Sequence, residues 1–326
     1  MKTIAAFKMA LDVFSRLIKD IKAESEEGYK VALSDATTKM ADTLKQLRSI
    51  DPIMVPIKTM DESTFSLEES TALFQNIIEC GKQRKQLSVV FTGAYTTQII
   101  QRRRFVIPKY VDFEETPHVL IEHHRGWEDF AVRMMNQIAF GCLLSLPLGK
   151  VRINFVNPSF SNKACLFSGT VSSEICRTYI ERREIDTFID SLTNRLMNKL
   201  KEGPKGIEGL PDYEIVFLLD YPYMFEGITE QMKFLNEQGS QAGIHFIVLE
   251  NSMYSFENKR SYDILKHWQL YARFNTFYGG EEEDYDTKIT STFELTGQPE
   301  LLKLCFEHLN GSIEGVTSCN VAATHT

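Results

Sequence analysis

The segment "HVLIEHHRGWEDF", residues 118–130, decides how this chain folds. It begins with a short apolar run that is typical of a buried strand. The apolar segment "FAVRMMNQIAFGCLLSL", residues 130–146, follows and predicts a helix. The polar residues between them therefore form the turn from a strand into a helix. Such a turn lies at the carboxyl end of a strand, which is where α/β proteins bind their ligands.

Beyond this turn, the pattern predicts strands and helices in alternation. This alternation indicates an α/β fold with a mostly parallel sheet and helices on both faces. The predicted strands are "VRINFVNP" (151–158), "EIVFLLD" (214–220), "IHFIVLE" (244–250) and "STFEL" (291–295). The predicted helices are "DTFIDSLTNRLMNKLKEG" (186–203), "GITEQMKFLNEQ" (227–238) and "SYDILKHWQLYARF" (261–274).

A helical region precedes the main domain. Apolar residues recur at three- and four-residue steps over 4–21 and again over 29–47, up to the prolines that begin at Pro52. These two helices either form a hairpin that packs on the main domain or a coiled-coil arm that binds a partner or another copy. A third helix begins at the capping box of Ser66 and Glu69.

The chain divides into three regions. We predict an N-terminal helical region over 1–85 and a main domain over 117–326. The strands "LSVVFTG" (87–93) and "FVIPKYVDF" (105–113) lie in the connecting segment, 86–116.

Composition favours a soluble protein of the cytoplasm. The formal charge is -8, from 44 acidic and 36 basic residues, which argues weakly against a general nucleic-acid coat. The six cysteines have irregular spacings that predict reduced thiols. No apolar run of about 18 residues is present, so no membrane span is predicted. The first residues lack the pattern of a secretory signal.

Three motifs together resemble the core of the FtsK/HerA-type DNA-translocating motors and their relatives in secretion and conjugation. They are "PHVLIE" at 117–122, "EIVFLLD" at 214–220 and "QGSQAGIHFIVLEN" at 238–251. In that family the first strand enters the Walker A loop, the second ends in the Walker B Asp-Glu pair, and the third runs to a sensor. The resemblance implies a RecA-like P-loop NTPase core, in which Asp220 holds the Walker B aspartate position.

The Walker A loop of that family has lost its chemistry in this chain. A phosphate cradle needs glycines, a lysine for the β- and γ-phosphates, and a Ser or Thr hydroxyl for Mg²⁺. Here Asp129 takes the lysine position, Phe130 the hydroxyl position and Glu128 the position of a glycine. Two carboxylates would then repel a triphosphate. The degenerate loop consists of His123, His124, Arg125, Gly126, Trp127, Glu128, Asp129 and Phe130.

The other two positions of the nucleotide site are changed as well. Tyr221 replaces the carboxylate that would activate water, and Asn251, after Glu250, stands at the sensor. We therefore expect a pseudo-ATPase without a cofactor, acting as a structural or regulatory interaction subunit of a DNA-translocating or secretion-type assembly. The alternative is an active ATP-dependent translocase of DNA or protein, with ATP and Mg²⁺ in an atypical site or one shared between protomers. Asp220 is the residue that favours this alternative.

A histidine-rich stretch raises the question of a metal site. His118, His123 and His124 lie near Glu122 and Glu128, but the spacing is neither HxH nor HExxH. We interpret the stretch as an exposed polar loop and expect no metal. His245, in "GIHFIV", is predicted to be a histidine packed within its strand.

A basic cluster precedes the main domain at Arg102, Arg103 and Arg104, and another at 81–86. The arginines could contact nucleic-acid phosphate, pair with the acidic run "GGEEEDYD" at 279–286 of a neighbouring copy, or keep a strand edge solvated. Expected partners are therefore other proteins or copies of this chain, through the N-terminal helices and the ATPase-like core, with DNA as a further possibility.

Overall fold

The structure is a computed structural model of the chain. The described residues are 58–59, 67–100, 103–123, 127–158, 166–167, 170–202, 211–221, 229–251, 268–274, 289–292 and 303–310. The predicted helices over 4–21 and 29–47 lie outside these residues, so the predicted domain boundaries remain predictions.

Strands and helices do not alternate regularly along the described part of the chain. The helices are α1 (Leu67–Gln83), α2 (Glu128–Leu144), α3 (Arg182–Glu202), α4 (Thr229–Gln238), which a 3₁₀ turn (Gly239–Ala242) extends, and α5 (303–310). The strands are β1 (Lys58–Thr59), β2 (Val89–Ile100), β3 (Arg103–Asp112), β4 (Val119–His123), β5 (Val151–Val156), β6 (Cys176–Tyr179), β7 (Tyr213–Tyr221), β8 (Ile244–Asn251), β9 (Gln269–Phe274) and β10 (Ile289–Thr292).

Six strands form a parallel sheet in the order β6-β5-β7-β8-β4-β9, and every neighbouring pair in it is parallel. Helix α2 packs on one face of this sheet, whereas α3 and α4 pack on the other. The arrangement confirms the expectation of an α/β fold with a mostly parallel sheet flanked by helices.

A second, antiparallel sheet has the order β1-β3-β2-β10. It contains β10, which the alternating pattern assigns to the main sheet. That assignment is wrong because β10 pairs antiparallel with β2, with Thr292 opposite Ala94. The two sheets meet where the hydroxyls of Thr92 and Tyr271 share a hydrogen bond and Lys109 lies 4.9 Å from the centre of the Tyr271 ring.

The prediction of one helix over 261–274 is also wrong for its last six residues, Gln269–Phe274, which form β9. This segment pairs with the outer edge of β4, so it satisfies backbone groups that would otherwise remain unpaired. Tertiary pairing overrides the local helical spacing here. The short strand β6 was not predicted, because "CRTY" has little apolar character.

Helix α2 is the most enclosed element of the fold. Thirteen of its 17 residues are buried, since one side faces the parallel sheet and another faces β2. Gly141 permits this contact: a Cβ there would lie 2.7 Å from the Phe91 carbonyl oxygen and 2.8 Å from a Val90 methyl carbon. Gly81 of α1 likewise touches the Leu144 backbone at the end of α2. The packing therefore requires glycine at both crossings.

A buried ionic cluster lies at the amino ends of β5 and β7. The Glu214 carboxylate accepts hydrogen bonds from Arg152 and Arg195, both at 3.2 Å, and from Asn154 at 2.6 Å. Arg195 also donates to the Pro211 carbonyl at 2.7 Å, which joins α3 to the sheet. The charges are paired, as their burial requires.

Two histidines are buried at the amino ends of β4 and β8. The Phe246 N–H donates to His118 Nδ1 at 3.1 Å, so Nε2 of His118 carries the hydrogen and donates to the Asn236 carbonyl at 2.8 Å. His245 Nδ1 donates to the Pro117 carbonyl at 3.0 Å. The prediction of an exposed polar loop is therefore wrong for His118. The packed role of His245 is confirmed.

Two observations in the described part of the chain concern the cysteines and a membrane span. The cysteines described there, Cys80, Cys142, Cys176 and Cys305, form no disulfide with one another. Burial raises the pKa of Cys142 and raises that of Cys305 to about 12, so both are unreactive at neutral pH. No described helix is long and apolar enough to cross a membrane.

Replacement of Gly141 by alanine is expected to lower the free energy of unfolding by about 1–3 kcal/mol, because the new Cβ would collide with β2. In an isolated helix the same change is favourable by about 1 kcal/mol, so the sign is diagnostic. Urea unfolding measures the change. The control is Asn198→Ala on the exposed side of α3, expected to stay within about 0.5 kcal/mol. A stabilised Gly141→Ala variant would contradict the close packing.

Stability is expected to fall in mild acid because of His118 and His245. Burial lowers the pKa of His118 from 6.5 to about 3 and that of His245 from 6.5 to about 4. Their contribution is complete above pH 6.5 and is lost as the pH falls toward the folded values, with a slope of up to about 1.4 kcal/mol per pH unit for each histidine. Urea unfolding between pH 7.5 and 5 measures this slope. His245→Gln should reduce it by about half, and an unchanged slope in that variant would refute the assignment.

Candidate functional site

The candidate site is the crevice at the carboxyl ends of β4, β8 and β7. The chain leaves β4 toward α2 on one face of the sheet, and it leaves β7 toward α4 on the other face. Strand β8 lies between these two strands. When the chain leaves neighbouring strands toward opposite faces of a sheet, a crevice opens between those strand ends. Open α/β sheets bind ligands in such a crevice.

The register brings three sequence-predicted positions together. His123, the last residue of β4, is the register partner of Asn251 in β8. Tyr221, the last residue of β7, is the partner of Glu250 on the other side of β8. Asp220 precedes Tyr221 in β7, within a register shift between Leu218 and Tyr221. The backbone positions predicted for the three motifs therefore meet at one edge of the sheet.

A row of polar side chains crosses these strand ends on the face that carries α3 and α4. Leu120 and Val248 pack on that face, so the alternation of a strand places Glu122 and Glu250 there too. Glu122 and Glu250 are register partners. Glu250 and Tyr221 are each 2% exposed, and Glu122 is partly buried. The crevice thus contains two neighbouring carboxylates beside a buried phenol.

The sequence patterns do not reveal this row. They place Glu250 at a substituted sensor position and Glu122 beside histidines, and nothing in them joins the two. The available signal was that the strands "HVLIE" and "IHFIVLE" both end in glutamate. The pairing of β4 with β8 supplies the connection, and only the tertiary structure provides that pairing.

His123 points away from this row. Val119 and Ile121 pack on the face that carries α2, and the alternation places His123 on the same face. It is 3% exposed, so the prediction of an exposed polar loop is wrong for this residue as well. His124, Arg125 and Gly126 lie outside the described residues. No group of three or more His, Cys, Asp or Glu in the described ranges is arranged to hold a metal ion.

The start of α2 presents negative charge to the crevice. Trp127 is the N-cap residue, with φ -109° and ψ 6°, and its side chain makes no capping hydrogen bond. Its carbonyl accepts hydrogen bonds from the N–H groups of Phe130 and Ala131, at 3.2 and 3.1 Å. Glu128 and Asp129 are exposed in the first turn. Their carboxylates compensate the positive end of the helix dipole, which a phosphate would otherwise do.

Aromatic side chains extend this surface. The rings of Trp127 and Phe130 are 5.1 Å apart, and the guanidinium carbon of Arg133 lies 4.3 Å from the centre of the Phe130 ring. Phe130 is 47% exposed. No lysine occurs among the described residues of the crevice, 119–123, 127–133, 218–221 and 247–251. The described surface is acidic and aromatic.

Two of the three arginines predicted to contact phosphate or a partner belong to the other sheet. Arg103 and Arg104 begin β3, opposite Ile100 and Ile99 at the closed end of the β2–β3 hairpin. Arg102 and the acidic run at 279–286 lie outside the described residues. The structure therefore does not bring these arginines to the strand ends of the crevice by register.

The second basic segment, 81–86, is engaged locally. Lys82 forms an exposed ion pair with Glu79 at 3.0 Å. Arg84 donates a hydrogen bond to the Val89 carbonyl at 2.9 Å, which holds the end of α1 against the start of β2. These contacts favour a structural and solvated role for the segment.

No protein-family description and no curated protein matches this chain. Solved structures do match it. The cytoplasmic domain of the Thermomonospora curvata type VII secretion ATPase EccC is 15% identical, with a TM-score of 0.41, over 54% of this chain and 21% of that chain. EccC (ATPases 2 and 3) of the same organism, in complex with a signal sequence peptide, is 14% identical, with a TM-score of 0.40, over 54% of this chain and 32% of that chain.

A third similar structure is EssC (ATPases 2 and 3) from Geobacillus thermodenitrificans. It is 15% identical, with a TM-score of 0.41, over 79% of this chain and 47% of that chain. The chain spans less than half of the length of each of these three structures.

Asp129→Asn is expected to lower the free energy of unfolding by about 0.3–1 kcal/mol at low ionic strength, because it removes a negative charge from the start of α2. The matched control is Glu237→Gln in the last turn of α4, where a carboxylate is unfavourable. That variant should be neutral or slightly more stable. Urea unfolding in low salt and in about 1 M NaCl measures both effects, which should shrink as salt rises. Equal losses in the two variants would contradict the electrostatic account.

Proposed function

We propose that this chain is a pseudo-ATPase: a catalytically degenerate relative of the FtsK/HerA-type P-loop motors, with a RecA-like core. It serves as a structural or regulatory interaction subunit of a DNA-translocating or secretion-type assembly in the cytoplasm. The observation that carries the proposal is the start of α2. Glu128, Asp129 and Phe130 follow β4 where a nucleotide site needs glycine, lysine and a hydroxyl.

The exchange of a lysine for Asp129 has a large electrostatic effect on phosphate binding. A lysine near 4 Å from a phosphate charge stabilises it by about 1 kcal/mol in water and about 4 kcal/mol at the effective dielectric of a protein surface. A carboxylate in the same place reverses the sign. The exchange of lysine for Asp129 therefore costs about 2–8 kcal/mol for each phosphate charge at that distance. Because each 1.4 kcal/mol is tenfold in the dissociation constant, a loss at the upper end of this range abolishes binding at millimolar nucleotide.

The second position supports the same conclusion. Tyr221 packs into the apolar cluster between the sheet and the helices α3 and α4. A neutral phenol in that place does not take the proton of an attacking water, which is the task of a carboxylate in a motor ATPase. The fold is retained because the apolar core requires it, whereas the turn that no longer holds phosphate is free to change.

One observation favours the alternative, an active ATP-dependent translocase with an atypical site. Glu250 is the register partner of Tyr221, so a carboxylate lies one strand away from the position of the missing base. ATP and Mg²⁺ would be the cofactors in that case, and Asp220 would be the residue nearest to the metal. A nucleotide-binding measurement separates the two functions.

The midpoint of thermal unfolding is expected to be the same with and without millimolar ATP and Mg²⁺. A ligand at 100 times its dissociation constant adds about 2.7 kcal/mol, which raises the midpoint by several degrees in a chain of this size. An intact P-loop ATPase in the same buffer is the positive control. A shift that Asp220→Ala abolishes, or ATP hydrolysis that the same change abolishes, would overturn the pseudo-ATPase proposal and support the translocase.

The partners in this proposal are other proteins or copies of this chain. They would bind through the N-terminal helices, 1–85, and through the surfaces of the ATPase-like core. DNA is the further candidate, through Arg102, Arg103 and Arg104. Light scattering of the full chain at several concentrations reports self-association, and a change of Arg103 and Arg104 to glutamate tests whether those side chains take part.

A further inference from the structure

A groove of about 770 Å³ lies between β6 and α3. Strand β6 is at one edge of the parallel sheet, and three strands separate it from β4. At about 4.8 Å between strands, β6 is roughly 10 Å from β7, the nearest strand of the candidate crevice, and roughly 19 Å from β4. The groove is therefore separate from the nucleotide site, and its binding properties do not depend on the function proposed for that site.

The backbone of β6 has one side turned away from the sheet. The carbonyls of Ile175 and Tyr179 accept hydrogen bonds from the N–H groups of Ile153 and Asn157, at 2.8 and 2.9 Å. Successive residues of a strand direct their backbone groups to opposite sides. The N–H and C=O of Thr178 therefore point outward, and β5 is the single strand that pairs with β6 in the described part of the chain.

The groove has an apolar floor and polar walls. The ring of Tyr179 stacks on that of Phe188, with centroids 4.1 Å apart and an interplanar angle of 14°. Thr187 and Ser191 line the wall that α3 provides. This combination of a flat aromatic floor and hydroxyl groups suits a segment of chain with alternating side chains, because every second side chain of an added strand would face α3.

The charge of the groove is positive. Arg177 and Arg183 line it, against Glu184 as the carboxylate among the lining residues. Arg177 extends from β6 itself, and its Nε donates to the Ser173 carbonyl at 2.9 Å. Arginine binds carboxylates through two parallel hydrogen bonds, so an acidic side chain is the complement that this surface selects.

We propose that an extended acidic peptide binds in this groove by adding to β6 as a seventh strand of the sheet. Its backbone pairs with the outward groups of Thr178, which supplies affinity that does not depend on sequence. A carboxylate of the peptide lies against Arg177 and Arg183, which supplies the selectivity. The occupant is a segment of a partner protein with acidic and β-branched residues in alternation.

Fluorescence anisotropy with three labelled peptides tests the proposal on the full chain. The peptide TVEVEVT is expected to bind, with an affinity that weakens as salt rises. The peptide TVKVKVT has the opposite charge and should bind at least tenfold more weakly. The peptide TVEPEVT keeps the charge, but its proline removes a central N–H and cannot extend the ladder, so it should also lose at least tenfold.

Variants of the groove complete the test. Arg177→Glu and Arg183→Glu should each weaken TVEVEVT at least tenfold, whereas Lys201→Glu, an exposed reversal at the end of α3, should leave it unchanged. Thr187→Trp fills the groove from the helix side without changing β6, so it should block binding even if a change in the strand impairs folding. The thermal midpoint of each variant verifies that it is folded.

Three results would overturn the proposal. The first is no binding of TVEVEVT at about 1 mM peptide. The second is equal binding of TVEVEVT and TVEPEVT, because strand addition requires the central N–H. The third is equal loss in Arg177→Glu and Lys201→Glu, because that outcome reflects the overall charge of the protein and not this groove.

Discussion

Helix α2 is buried between two layers, and its close packing holds the neighbouring elements in place. The helix lies between the parallel sheet and β2, with Gly141 against one strand and Gly81 of α1 against its last residue. Close packing of this kind leaves no freedom to shift the helix, because protein interiors are as dense as organic crystals. The start of α2 is thereby held at the end of β4, whatever residues occupy the turn between them.

In the function that we propose, that rigidity keeps the frame of the site in place although its chemistry is lost. The core needs apolar residues in β4 and α2, and those are present. Glu128 and Asp129, in the first turn of α2, are exposed, so the core places no demand on their side chains. These charges favour the helix that they begin and disfavour the phosphates that such a turn would otherwise bind. At the start of α2, helix stability thus favours a carboxylate, whereas nucleotide binding requires a lysine.

The two edges of the parallel sheet differ in what covers them. Strand β9 closes the edge at β4, and Tyr271 ties it to the second sheet through Thr92. At the other edge, β6 has an aromatic floor and arginines beside it. Natural sheets protect such an edge with charge or with a partner. The buried cluster around Glu214 joins the neighbouring strands β5 and β7 to α3. The elements beside the groove at β6 are therefore held in fixed positions.

The elements that carry strong apolar patterns are predictable from the sequence. The strands β4, β5, β7 and β8 and the helices α2, α3 and α4 all follow from local spacing, because burial of one face imposes that spacing on any chain. The tertiary structure alone decided the positions of β6, β9 and β10, the burial of His118 and His123, and the row formed by Glu122, Glu250 and Tyr221. Each of these depends on which strands become neighbours. Pairing between segments that are far apart in the sequence produces no periodic pattern in either segment.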